Sequence, residues 1–158
     1  MDWAEKFTSK LKAKELARQE DKKNFKIYQS FAQKLFSNIE SKMKQIEAIS
    51  IMRHMVGQSE TTPIQLKALK LKCYEKYLEF IPEGINLDNS KGTIRIKHNT
   101  RHLPQFTYLH LTIDPEAEES YPDNLIWVIN KESRKNYVEL PKFDDVELEK
   151  LVEKAFLG

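Results

Sequence analysis

Three histidines crowd one stretch of the chain, at His98, His102 and His110, with Asp114 shortly after the last. Imidazole nitrogens and carboxylates are zinc ligands, and a catalytic zinc site needs three of them around an open position. If residues 93–98 and 106–113 pair as a hairpin, its turn draws the three rings toward one another. The spacing does not impose this geometry. Pro104 disfavours a helix here, so His98 and His102 are not presented on one helical face. The plainer reading is exposed loop and strand histidines, and no cofactor is predicted.

The same hairpin carries a second pattern. Thr93-Ile94-Arg95-Ile96-Lys97 alternates, which places Arg95 and Lys97 opposite Ile94 and Ile96. Phe106, Tyr108 and His110 alternate with Leu109 and Leu111 in the same way, and Lys91, Arg101 and His102 lie near the ends. A face of cations and rings suits single-stranded nucleic acid, where cations neutralise phosphates and rings stack on bases. Arg95, Lys97, Arg101, Phe106, Tyr108 and His110 are the candidate contacts. Against this stand the small net charge of +2 and the absence of a nucleic-acid recognition signature.

Enzyme motifs are sparse. Gly57, Gly84, Gly92 and Gly158 form neither a phosphate loop nor a dinucleotide fingerprint. There is no Gly-x-Ser-x-Gly nucleophile turn. Cys73 is the single cysteine, which rules out an intramolecular disulfide, and nothing near it in sequence would activate its thiol. No catalytic residue is assigned, and a binding role is expected over an enzymatic one.

The elements that must position these residues follow from periodicity. Asp2 and Glu5 make a capping box, and Trp3, Phe7 and Leu11 follow at four-residue spacing. Arg18-Gln19-Glu20-Asp21-Lys22-Lys23-Asn24 has no apolar side chain. A second amphipathic run carries Phe25, Tyr28, Ala32, Leu35, Phe36, Ile39, Met43 and Ile46, widened by Phe31 and Ile49. No Pro or Gly occurs before Gly57, so a helix or helix pair is predicted across 2–54, with Met52-Arg53-His54-Met55 as its last turn and Arg53 and His54 facing its dipole. Ala32 to Ile46 satisfies a coiled-coil seam over two heptads. Those eight side chains are the predicted association face, for a second copy or a partner's helix.

Gly57 to Thr61 reads as a linker. Thr62-Pro63-Ile64-Gln65 combines a cap, an early Pro and a Gln at the third position, predicting a helix from 63 to about 73. Leu69-Lys70-Leu71-Lys72-Cys73 also alternates as a strand would, so residues 69–81 stay ambiguous. Strands are predicted at 76–82, 93–97, 106–113, 125–129 and 137–140, with turns at Pro82-Glu83-Gly84 and Asp88 to Gly92 and an acidic loop from Glu116 to Asn124. Leu125-Ile126-Trp127-Val128-Ile129 is the most apolar strand and is expected at the centre. Phe143, Asp144, Glu147 and Leu148 form a staple and capping box, opening a helix whose Leu148, Leu151, Val152 and Ala155 share a face.

Of the 158 residues, 40 % are hydrophobic and 32 % charged. That apolar share supports a core, and the excess charge calls for a large solvated surface. Residues 1–56 hold 12 Lys/Arg against 7 Asp/Glu (+5), 57–113 hold 8 against 5 (+3), and 114–158 hold 6 against 12 (−6). A basic front and acidic back are complementary, within one fold or between copies. No run approaches the length of a membrane span, and the start lacks a secretory pattern, so a cytoplasmic protein is expected. The fold class expected is α+β: a helical arm at 1–56, then a small α+β domain at 57–158 with an antiparallel meander of about five strands and a C-terminal helix packed on the sheet.

Overall fold

The computed structural model describes residues 2–56, 66–86, 90–131 and 136–158. The fold is α+β: an N-terminal helix, a six-stranded antiparallel sheet and a C-terminal helix. Helix α1 spans Trp3–Met43, capped by Asp2, whose carboxylate accepts the Glu5 N–H at 2.9 Å. The strands are β1 (Ile49–His54), β2 (Ala68–Cys73), β3 (Lys76–Gly84), β4 (Gly92–His98), β5 (Thr107–Ile113) and β6 (Leu125–Asn130). They lie in chain order, each antiparallel to the next. A 3-10 turn, Tyr137–Glu139, precedes helix α2, Asp145–Phe156.

One face of the sheet carries Leu69, Leu71, Leu78, Phe80, Ile94, Ile96, Leu109, Leu111, Trp127 and Ile129, all in the core cluster. Residues 25–43 of α1 cross it diagonally. Tyr28 meets Trp127 on β6 edge-on at 6.2 Å, and Phe36 meets Phe80 on β3 at 6.3 Å. The Arg53 guanidinium of β1 sits over the Phe36 ring, 5.3 Å from its centroid. Helix α2 adds Leu148, Leu151, Val152 and Ala155, all buried. Its predicted cap is formed: the Asp144 carboxylate accepts the Glu147 N–H at 2.9 Å.

Five expectations give way. The helix predicted to reach 54 ends at Met43, and Ile49–His54 is strand β1. Ile49 and Ile51 alternate with Ser50 and Met52, and β-branched side chains at that period fit a pleated sheet better than a helix. Arg53 and His54 therefore face no helix dipole. Arg53 instead pairs with Glu40 of α1, and His54 with Glu79 of β3. The helix predicted to 73 is replaced over Ala68–Cys73 by β2, whose Leu69, Leu71 and Cys73 face α1; the alternating reading of this stretch wins. Its predicted start at 62–65 and the linker at 57–61 lie outside the described residues.

The apolar 125–129 segment is strand β6, at the edge of the sheet. It is buried there because residues 141–143 run beside it: Ile129 N–H donates to the Pro141 carbonyl at 3.0 Å and Phe143 N–H to the Trp127 carbonyl at 2.8 Å. Tyr137–Glu139, expected as a strand, is the 3-10 turn, which lays the Tyr137 ring on His110 of β5. Strand β3 also outlasts its turn signal, passing through Pro82 with a register shift before Gly84, which takes a φ of 124° open to glycine.

Candidate interaction surfaces

Among the described residues, the first half of α1 has little tertiary cover. Every residue from 2 to 23 is exposed, whereas Phe25, Tyr28, Ala32, Phe36, Ile39 and Met43 are buried. The segment is rich in Lys, Ala, Glu, Leu and Gln, strong helix formers, and carries an i,i+3 pair of Glu15 with Arg18 at 3.4 Å. Tertiary packing begins only at its C-terminal end. There the Asn86 side-chain amide donates to Asp21 at 3.1 Å and the Tyr121 hydroxyl to Asn24 at 3.0 Å.

The arm is not uniformly polar. Trp3, Phe7 and Leu11 are 75 %, 48 % and 52 % exposed, and the Trp3 and Phe7 rings stack at 5.2 Å. Phe7 and Phe25 are separated by about five full turns at 3.6 residues each, so they project in the same direction. The face that α1 buries on its sheet thus continues, unburied, beyond the edge of that sheet. Lys6, Lys10, Lys12, Lys14 and Arg18 surround it.

Most of the eight side chains predicted as an association face are buried within their own chain. Phe25, Tyr28, Ala32, Phe36, Ile39 and Met43 cover the sheet of their own chain, because six strands present enough apolar surface to hide them. Leu35 is half-buried, and Ile46, past the helix end, is 42 % exposed. On the flank of α1, Ile27, Phe31 and Leu35 are partly buried at four-residue spacing. Leu35 also lines a groove of about 440 Å3 between α1 and the start of α2, with Asn38, Ile39, Phe143, Asp144, Asp145, Val146 and Leu148. At the groove's end Lys42 bonds Glu149 at 3.0 Å and approaches Asp145 at 3.9 Å. The Glu149 bond, with Asp145 nearby, holds the Lys42 ammonium above its ordinary value.

A second surface is the outer face of the sheet. Lys72 and Tyr77 pair across β2 and β3, Lys70 and Lys97 flank Glu79, and Arg95 lies opposite Tyr108. The Lys70 ammonium sits 4.7 Å from the Tyr77 ring centroid. The face is interrupted by acid: Arg95 pairs with Glu83 at 3.5 Å, and Glu79 is buried against His54. Phe106 is 60 % exposed just before β5, and Arg101 is exposed in the preceding loop.

His110 does not join that open face. It is buried between Tyr108 and Tyr137, with ring centroids at 6.0 and 4.3 Å. Its Nδ1 lies 3.4 Å from the Thr93 hydroxyl and its Nε2 3.4 Å from the Asn130 amide, while Ser90 bonds Thr93 at 2.9 Å. These four form a polar row beneath the 3-10 turn.

The three histidines do not converge. His110 pairs with Thr93, at one end of β4, and His98 ends the same strand at the other. His98 donates from Nε2 to the Pro104 carbonyl at 2.8 Å and accepts the Thr100 N–H at Nδ1, so both nitrogens are engaged. His102 is exposed in the loop beyond. Among the described residues no group of three or more His, Cys, Asp or Glu side chains is placed to hold a metal ion.

In the acidic loop, Asp114 accepts the Glu116 N–H at 3.0 Å and bonds Lys142 at 3.3 Å. Both, the backbone bond first, hold its carboxyl below the usual carboxylate range. This ties the segment beside β6 to the end of β5. Sequence reasoning missed the Glu40–Arg53 and Glu79–His54 pairs, which join separate elements across 13 and 25 residues of chain. Among the described residues no helix is long and apolar enough to cross a membrane. Comparison with protein-family models, curated proteins and solved structures gives no match.

Proposed function

We propose that this protein is an assembly protein that associates through the projecting first half of α1. The observation that carries the reading is the exposed Trp3–Phe7–Leu11 stripe on a helix segment that covers none of the other described residues. In proteins most helical stability comes from burying an apolar face. A stacked Trp–Phe pair at the tip of a cationic arm is also a costly surface to leave in water.

Sedimentation velocity over a range of concentrations tests it. The native chain is expected to form a species heavier than one copy, and the variant carrying Trp3→Glu and Phe7→Glu to remain a monomer that still unfolds cooperatively. A native chain that stays monomeric at high concentration would overturn the reading.

One observation favours a second reading, nucleic-acid binding on the outer sheet face: Lys70 and Lys72 of β2 and Arg95 and Lys97 of β4 flank Tyr77 of β3, and Tyr108 of β5 lies beside Arg95. Cations beside stackable rings suit a single strand. Anisotropy of a labelled single-stranded oligonucleotide should then show salt-dependent binding that weakens in Lys97→Ala with Tyr108→Ala. Absence of binding at low salt ends this reading.

A further inference from the structure

Residues 114–158 hold 12 Asp/Glu against 6 Lys/Arg, so a lysine placed there has many acidic partners within reach of the chain. Lys142 takes one, bonding Asp114 at 3.3 Å, and Lys150 another, bonding Glu147 at 3.5 Å. Lys131 and Lys154 pair with none of the other described residues. Lys131 is also half-buried, and taking an ammonium out of water costs free energy unless an anion answers it. We infer that Lys131, Lys150 and Lys154 form a binding site for a phosphate dianion in the angle between the end of β6 and helix α2. The site is separate from the arm and independent of the association proposed above.

Strand and helix geometry bring the three ammoniums together. Trp127 and Ile129 of β6 face the core, and strand alternation carries that side on to Lys131, just past the strand end at Asn130. On α2, which packs on the same side, Glu147, Lys150 and Lys154 recur at three- and four-residue spacing. They therefore line one flank of the helix, beside the buried Leu151. These are the charged groups that act on Lys131. Burial, then Lys154 and Lys150, hold its ammonium below its ordinary value, against an opposing pull from Glu147. A shift of that sign marks positive charge left uncompensated.

The charge selects the ligand. Glu147 offsets one of the three ammoniums, which leaves +2 at the site. Inorganic phosphate or a phosphate monoester carries about −2 at neutral pH and presents acceptor oxygens in several directions. An ammonium is a point charge with three donors, which suits such a group, whereas a carboxylate is best matched by the planar fork of arginine. Among the described residues no arginine acts on Lys131. A bound dianion answers all three ammoniums at once and returns Lys131 toward its ordinary value.

Lysine Hε–Cε signals in NMR spectra of the full chain read the site directly. Inorganic phosphate and, separately, glycerol phosphate are expected to move the signals of Lys131, Lys150 and Lys154 to saturation and to leave that of Lys12 on the arm in place. Lys131→Gln should remove the saturable movement of Lys150 and Lys154 while the backbone amide spectrum keeps its folded dispersion. Whichever probe binds more tightly tells a free phosphate from a monoester, and either supports the site. Dimethyl phosphate, a monoanion, should bind more weakly than both. Equal binding of dimethyl phosphate, the same movements in sodium chloride at matched ionic strength, or a response that survives Lys131→Gln would overturn the proposal. So would a phosphate titration that never saturates. None of these outcomes bears on the sedimentation test of the arm.

Discussion

Single side chains show how closely α1 is tied to its sheet. The Tyr28 ring lies on Gly92, where a Cβ would come within 2.2 Å of the ring, and the Tyr28 hydroxyl donates to the Thr93 carbonyl at 2.8 Å. Only a glycine at that strand start allows the approach. Tyr28→Phe keeps the packing and leaves the carbonyl without its donor, so urea denaturation should show a loss of about 1 kcal/mol. Burial also raises the Tyr28 phenol well above its ordinary value. The folded state then holds a proton that the unfolded chain releases, so stability is full below the ordinary phenol range and falls as pH rises through it. Tyr28→Phe should lessen that alkaline loss; an unchanged slope would contradict it. None of this was readable beforehand, because the partners are 65 residues apart and glycine gives no pairing signal.

At the scale of elements, the clearest signals were local. The staple and capping box at Phe143, Asp144, Glu147 and Leu148 marked α2, and the alternation at 93–97 and 106–113 marked β4 and β5. What failed depended on neighbours. β1 follows α1 after a short turn, so its isoleucines extended a helical pattern, although pairing with Leu71 and Cys73 decides their state. β6 read as central because an apolar run signals two covered faces and says nothing of which element covers them. The two caps make a test within one chain. Asp144→Ala should lower global stability by about 1 kcal/mol, since α2 packs on the core. At concentrations too low for association, Asp2→Ala should leave the denaturation midpoint unmoved and lower only the helical circular dichroism, since that end of α1 packs on none of the other described residues.

The whole molecule is a sheet covered on one face by α1 and α2, from which half of the 41-residue α1 projects. The sequence reading held that the front of the chain shows more apolar helix than a small sheet can hide. The sequence places the surplus at Phe25 to Ile46, where the apolar positions are densest, but density marks what the core takes first. The surplus lies at Trp3, Phe7 and Leu11, whose stripe is weaker and was noted only as a helix start. Hydrogen exchange of the backbone amides of residues 6–23, followed as a function of protein concentration, tests the account most directly. A lone arm opens readily, whereas a paired arm is covered along its length. Protection in this segment is predicted to rise with concentration, while that of β3 and β4 stays constant. Protection of the arm that does not change across the dilution series would contradict the account.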